Sequence, residues 1–395
     1  MSELHAALLA KGVTIRCPES VDLDGIDPDR ISADGVVLHA GTRLRGASTV
    51  VSAGCELGRE GPVTVEDCQL GPKVALKGGY AARSVFLAGA SLGLGHHIRE
   101  GTLLEEEASV AHCVGLKQTI LLPFVTLGSL INFCDCLMAG GTSRKDHSEV
   151  GSSYIHFNFT PTGDKTTPSL FGDIPRGVML RERPIFLGGQ GGTVGPVQVA
   201  YGATVGAGSI LRSDVIREDS LTIVGPPPSM TQDAASAEYR AINRIVAKNL
   251  AYVASLDALQ EWHRQVRAPF FAASELGPLV AEGALAALDS ARTERLSRLT
   301  ALATKMDHRV DHQRAVAEQI DSVCRLFLSA APAAPAQLLE ATAAAAAAGT
   351  AYVSAIQGLD EDVVAAGTHW LTTIIEARWQ QVEPLLPAVA RLGRR

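Results

Sequence analysis

Two cations eighteen residues apart are the first chemistry the sequence offers: Arg99, in His97-Ile98-Arg99-Glu100-Gly101, and Lys117, in Gly115-Leu116-Lys117-Gln118. An arginine beside a lysine suits a phosphate dianion, the guanidinium by bidentate contact and the ammonium as a point charge. Candidates for proton transfer follow. His147 closes the polar run Ser143-Arg144-Lys145-Asp146-His147, and His156 stands two residues before Asn158-Phe159. A histidine among carboxylates and cations is a reasonable general base near neutral pH. Arg144 and Lys145 would suit a further ligand phosphate. His96, His97 and His112 fall inside regular repeats and rank below them. The competing reading is ordinary: solvated charges on a coil surface, and a solvated polar loop.

The elements that must carry these residues show a period of six. Leu92, Ile98, Leu104, Val110, Leu116 and Leu122 recur without a break. Neither the helix repeat of 3.6 nor the strand repeat of two explains that spacing. It fits a parallel β-helix of hexapeptides, each six-residue side carrying one inward aliphatic and each coil burying its aliphatics by stacking on the next. On this reading Arg99 and Lys117 lie on adjacent coils. The pattern begins at Leu38, Leu44 and Val50, and returns at Leu187, Val194, Val199, Val205 and Leu211. It is interrupted by polar, Gly-rich residues 139–149 and again by residues 160–167; repeat arrays normally keep such insertions on one face, often the binding face. Glycine is abundant (38 residues), which suits corners that need positive φ.

The expected organisation is a short helix and lead-in over residues 1–34, a left-handed parallel β-helix over 35–225, and an all-α domain over 231–395. A proline run, Gly225-Pro226-Pro227-Pro228, ends the repeat as a stiff linker. Beyond it Ala and Leu dominate, and Ile242, Ile245, Val246, Leu250 and Val253 have helical spacing. Helix breaks are expected near Pro269, Gly283, Pro332 to Pro335, Gly349 and Pro384. Trp262, His263, Trp370 and Trp379 read as core or interface.

Composition excludes several functions. A net charge of −7 without a long basic run argues against nucleic acid. No signal peptide and no span of 18 uncharged apolar residues are seen, so no membrane is expected. Seven cysteines without a CxxC pair suggest reduced thiols and a cytoplasmic setting.

Leu8-Leu9-Ala10-Lys11-Gly12-Val13-Thr14-Ile15-Arg16 and the run from Leu92 to Leu121 carry a family likeness. Residues 7–215 resemble the C-terminal β-helix of bifunctional N-acetylglucosamine-1-phosphate uridyltransferase/glucosamine-1-phosphate acetyltransferases. The resemblance implies a homotrimer with sites between subunits, a sugar phosphate or nucleotide sugar as ligand, and acetyl-CoA as acyl donor. It makes Arg99 a phosphate-binding arginine, Lys117 a contact to the sugar phosphate, and Asn158-Phe159 the counterpart of an Asn-Tyr that holds the sugar and helps to place acetyl-CoA. Arg144 and Lys145 would then also suit a CoA phosphate. The sequence departs from the family where a His-Leu-x-Tyr-x-Gly-Asp stretch supplies the general base. Here Ser129 replaces that histidine and Asn132 the tyrosine, while Leu130 and Asp135 match. A serine hydroxyl is too weak a base to take a proton from an ammonium, so proton transfer is assigned to His147 or His156. The uridyltransferase domain is expected to be missing, since no strand and Gly-rich nucleotide loop open the chain.

The sequence is compatible with two other functions. One is a non-catalytic trimeric scaffold or sugar-nucleotide-binding protein. The other is a metal site like that of γ-class carbonic anhydrases, because His112 and His147 lie 35 residues apart. The third ligand would fall near residue 152, where Ser152 and Ser153 stand, so no metal is expected.

Overall fold

The structure is a computed structural model that describes residues 2–158, 163–231, 239, 241–327 and 331–394. It opens with helix α1 (Glu3–Lys11), N-capped by Ser2 and closed by Gly12 in the left-handed region. The chain then winds into a left-handed parallel β-helix of about eleven turns. Its first face is an eleven-stranded parallel sheet from Thr14–Ile15 to Leu221–Thr222. The second face starts at Asp22–Asp24 and the third at Val50–Val51. Gly115–Leu121 and Asn132–Met138 run through a corner and belong to both of these faces.

The period of six translates directly into faces. Leu92 and Val110 pair on the first face and Ile98 and Leu116 on the second, all buried. Leu104, on the third face, pairs with Leu121 rather than with Leu122. The cause is a corner one residue shorter, turned at Gln118 with φ 52°. Gly101 occupies the same corner one coil earlier; a Cβ there would come 2.4 Å from the Gln118 amide. That glycine serves a close approach as well as a positive φ.

Three insertions leave the coil. Residues 139–148, at the third-to-first corner, form a small hairpin of Gly141–Ser143 and Asp146–His147. A second insertion lies at the second-to-third corner, between Ile155–Phe157 and Ser169–Phe171, and its described residues are 158 and 163–168. Residues 172–185, with helix α2 (Ile174–Gly177), form a third insertion that the hydrophobic pattern did not reveal.

Among the described residues eight helices follow: α3 (Ile242–Glu261), α4 (Ala268–Ala272), α5 (Gly277–Ala303), α6 (Asp311–Leu326), α7 (Ala336–Ala347), α8 (Tyr352–Gln357), α9 (Glu361–Val382) and α10 (Pro387–Gly393). A π-helical turn, Trp262–Val266, extends α3. The expected break at Gly283 is absent, because α5 runs straight through it. A Cβ there would lie 2.3 Å from Gln69 Oε1, so glycine lets α5 approach the third face closely. α5 crosses Gln69–Leu70, Ser84–Phe86 and Thr102–Leu104, and one hydrophobic core runs from the coils into Val280, Ala284 and Leu288. Trp262, Trp370 and Trp379 are buried. Among the described residues no helix is long and apolar enough to cross a membrane.

Candidate functional site

The second-to-third corner brings Arg99, Lys117 and Cys134 into one stack. Lys117 is in register with Cys134, and the Arg99 amide bonds to the Leu116 carbonyl one coil on. The second insertion leaves from this same corner, so it delivers Asn158 and Lys165 beside the stack. The result is a cavity of about 350 Å³, lined by Arg99, Lys117, Asn132, His156 and Asn158 among the residues singled out from the sequence. It lies at the small end of ligand-pocket volumes and shares Lys117 with an adjoining groove of about 570 Å³ along α5.

Electrostatically the cavity is cationic. Arg99, Lys117, Lys165, Arg295 and Arg298 face it against the carboxylates of Asp135 and Glu294. Lys117 Nζ lies 2.7 Å from Glu100 Oε1, and this hydrogen bond is the main reason that the Glu100 carboxyl is held down to about 2. Arg99 reaches only the Cys134 sulfur, at 3.9 Å, and has no carboxylate partner among the described residues. Arg295 is buried and pairs with Asp135 at 2.8 Å, which also accepts from Asn158 Nδ2 at 3.3 Å. A cationic pocket with one uncommitted guanidinium can hold an anion such as a phosphate.

The two histidines assigned to proton transfer are separated. His156 points inward from the second face, 4 % exposed, with Nε2 2.7 Å from Ser169 Oγ and its ring edge-on to Phe133. Burial pushes it down to about 4, so it is neutral at pH 7. His147 lies in the hairpin at another corner, with Nε2 3.8 Å from Glu149. Arg144 and Lys145 share that hairpin and do not line the cavity. The Arg144 guanidinium clasps the coil instead, donating to the carbonyls of Glu107 and Phe124 and to Thr126 Oγ1. Phe159 lies outside the described residues.

Two features escaped the sequence reading. Ser129 Oγ lies 2.8 Å from His112 Nδ1, so an exposed histidine stands beside this serine. Their separation of seventeen residues is about one coil, and that was the available signal. The second is the wall built by α5 from Glu294, Arg295 and Arg298, which no local motif announces. As for metal ions, His112 and His147 flank opposite ends of the first face. Among the described residues no three His, Cys, Asp or Glu side chains converge on a metal-sized site.

No family model matches the chain. Over 215 residues it is 28 % identical to "Bifunctional protein GlmU" of Thermotoga sp. (strain RQ2), a match that covers 53 % of this chain and 41 % of that protein. The protein of the same name from Clavibacter sepedonicus is 28 % identical over 218 residues, covering 54 % and 39 %. The one from Mycolicibacterium smegmatis is 29 % identical over 210 residues, covering 53 % and 39 %. This is the family whose β-helix part the sequence resembles. The chain spans about two fifths of the length of these curated relatives. Among solved structures, a UDP-N-acetylglucosamine acyltransferase matches at 12 % identity with a TM-score of 0.19, over 52 % of this chain and 66 % of that one. The corresponding enzyme from Campylobacter jejuni matches at 13 % with a TM-score of 0.18, over 53 % and 69 %.

Proposed function

We propose that this protein is a hexapeptide-repeat transferase related to UDP-N-acetylglucosamine metabolism, and that it binds a sugar phosphate or nucleotide sugar at the second-to-third corner of its β-helix. The observation that carries this reading is the convergence of Arg99, Lys117, Asn132 and Asn158 on one cationic cavity. Arg99 takes the phosphate by its guanidinium, Lys117 adds a point charge, and Asn132 and Asn158 offer amides to sugar hydroxyls. Phe159 is assigned to the sugar by the resemblance alone. Acetyl-CoA is the acyl donor in this reading, with Lys145 available to its phosphates where subunits meet in a homotrimer, while the Arg144 guanidinium is spent on the coil. The setting is cytoplasmic.

Acyl transfer to an amine needs a base for the ammonium proton. His156, held at about 4, is a weak one. His147 and the exposed His112–Ser129 pair lie at other corners, and they require a neighbouring subunit to reach the cleft. The weakness of His156, together with Ser129 at the family's base position, favours a second reading: a trimeric binding protein without turnover.

Incubation of the protein with glucosamine-1-phosphate and acetyl-CoA, with thiol release as the readout, separates the two. The transferase reading expects thiol release that requires both substrates and falls at least tenfold in Lys117→Ala. Ligand binding without thiol release selects the binding-protein reading. Neither binding nor release contradicts both.

A further inference from the structure

We propose that the helical region is part of the ligand site: α5 supplies Arg298 as a further cation for the phosphorylated ligand, and the buried Arg295–Asp135 pair fixes it there. This rests on the reading of the cleft as a phosphate site. Nothing in the β-helix likeness assigns the helices any role.

Three observations carry the inference. First, Glu294 and Arg298 border both the cavity at Arg99 and the adjoining groove, opposite Lys117 in each. The helix is therefore one wall of the site along its length. Second, the placement of α5 is specified by charge. Arg295 is 3 % exposed and donates to Asp135 Oδ1 at 2.8 Å and to the Lys165 carbonyl at 3.4 Å. A buried ion pair is tolerated only in close geometry, so this one registers the helix against the coil at the cavity. Residues three and four apart share a helix face, so Arg298 looks the same way as Arg295 and Glu294.

Third, Arg298 is held but not used up. Its Nε and Nη2 both lie 2.8 Å from Glu294 Oε1, which fixes the side chain and leaves Nη1 without a partner among the described residues. Gln118, which borders the same groove, has its buried Oε1 without a hydrogen-bond partner among the described residues. A ligand lying between the walls would meet guanidinium donors from both sides and an amide acceptor at the junction. A phosphorylated sugar has matching groups, phosphate oxygens for the cations and a hydroxyl for Gln118.

The test is calorimetric titration of the full-length protein with glucosamine-1-phosphate and with UDP-N-acetylglucosamine, across wild type, Arg298→Ala, Arg298→Lys and Lys117→Ala. Arg264→Ala, an exposed arginine outside the cleft, is the control, and melting curves establish that each variant is folded. The expected result is a roughly tenfold loss of affinity in Arg298→Ala with a shallower salt dependence, partial recovery in Arg298→Lys, and no change in Arg264→Ala. Wild-type affinity in Arg298→Ala, with affinity lost in Lys117→Ala, overturns the inference and leaves the cleft as a phosphate site. Equal affinity in wild type and Lys117→Ala, or no binding at all, overturns the phosphate site and the inference with it.

Discussion

At the scale of single residues, the site is a balance of committed and uncommitted charge. Lys117 is shared with Glu100 at 2.7 Å, whereas Arg99 has no carboxylate among the described residues to compete with a ligand. Glu100→Gln is therefore expected to tighten binding of a sugar phosphate by roughly threefold to tenfold, in line with the modest worth of a solvent-accessible pair. Unchanged or weaker binding in a titration would show that Lys117 does not face the ligand. Two of the buried histidines bear on acid stability. His96 and His156 are both pushed by burial from 6.5 to about 4. Between those values the unfolded chain binds more protons than the folded one, so stability is lost as pH falls from 6.5 to 4, by at most ~3 kcal/mol for each histidine. Urea denaturation at pH 7 and pH 4.5 should register that loss, and His156→Gln should reduce it. Equal stability at both pH values would contradict the buried, neutral assignment. Arg99 and Lys117 were legible in the sequence, because a separation of eighteen residues is one coil of three hexapeptides. The inward orientation of His156 was not. Insertions on both sides broke the count that places Ile98, Leu116 and Phe133 inside, and the same position carries the histidine.

At the scale of elements, the corners and α5 do the positioning. The second-to-third corner shortens at Gln118 and carries the second insertion, so one corner both stacks the cations and delivers Asn158 and Lys165. The long helix depends on one small residue. Gln69 is held by a hydrogen bond from its Nε2 to the Ser48 carbonyl at 2.8 Å, so it cannot simply swing away from a side chain at 283. Gly283→Leu improves helix propensity by about 1 kcal/mol yet overpacks the contact. It should destabilise by about 1–3 kcal/mol net, with weaker ligand binding because α5 moves off the cleft. A more stable variant in chemical denaturation would contradict the close approach. Gly283 also explains why a helix break was expected there: glycine is a poor helix former in local terms, and the demand for a missing Cβ comes from a coil more than two hundred residues away. The hairpin at residues 139–148 was legible as an insertion from its polar, Gly-rich composition. Which corner it leaves depends on register, and register places His147 and Arg144 away from the cavity.

At the scale of the whole molecule, solenoid and helices are joined by a buried ionic cluster as well as by apolar contact. Glu105 accepts from His263 Nε2 at 2.6 Å and pairs with Arg267 at 3.3 Å. The same arginine pairs with Glu106 and stacks on Tyr352 at 3.7 Å. Burial holds the Glu106 carboxyl above its ordinary range against the pull of Arg267. Arg267→Ala would leave two carboxylates buried without their cation and should cost about 3–5 kcal/mol. Loss of a single cooperative unfolding transition is the accompanying sign that the helices have come away from the coils. An unchanged melting curve would show that the cluster does not join the two parts. The six-residue period made the solenoid legible, and the spacing of Ile242, Val246, Leu250 and Val253 made the helices legible. Their packing was hidden, since it rests on contacts such as Glu105 with Arg267 that no local pattern encodes.

The central claim is that the cleft between the second-to-third corner and α5 binds a phosphorylated sugar through Arg99 and Lys117. Calorimetric titration with glucosamine-1-phosphate and UDP-N-acetylglucosamine, in wild type, Arg99→Ala and Lys117→Ala, tests it most directly. Saturable binding of at least one of the two, weakened about tenfold or more by either substitution, is the predicted result, as expected for loss of a charge-assisted contact. Binding that both substitutions leave unchanged, or no binding of either ligand, would contradict the account.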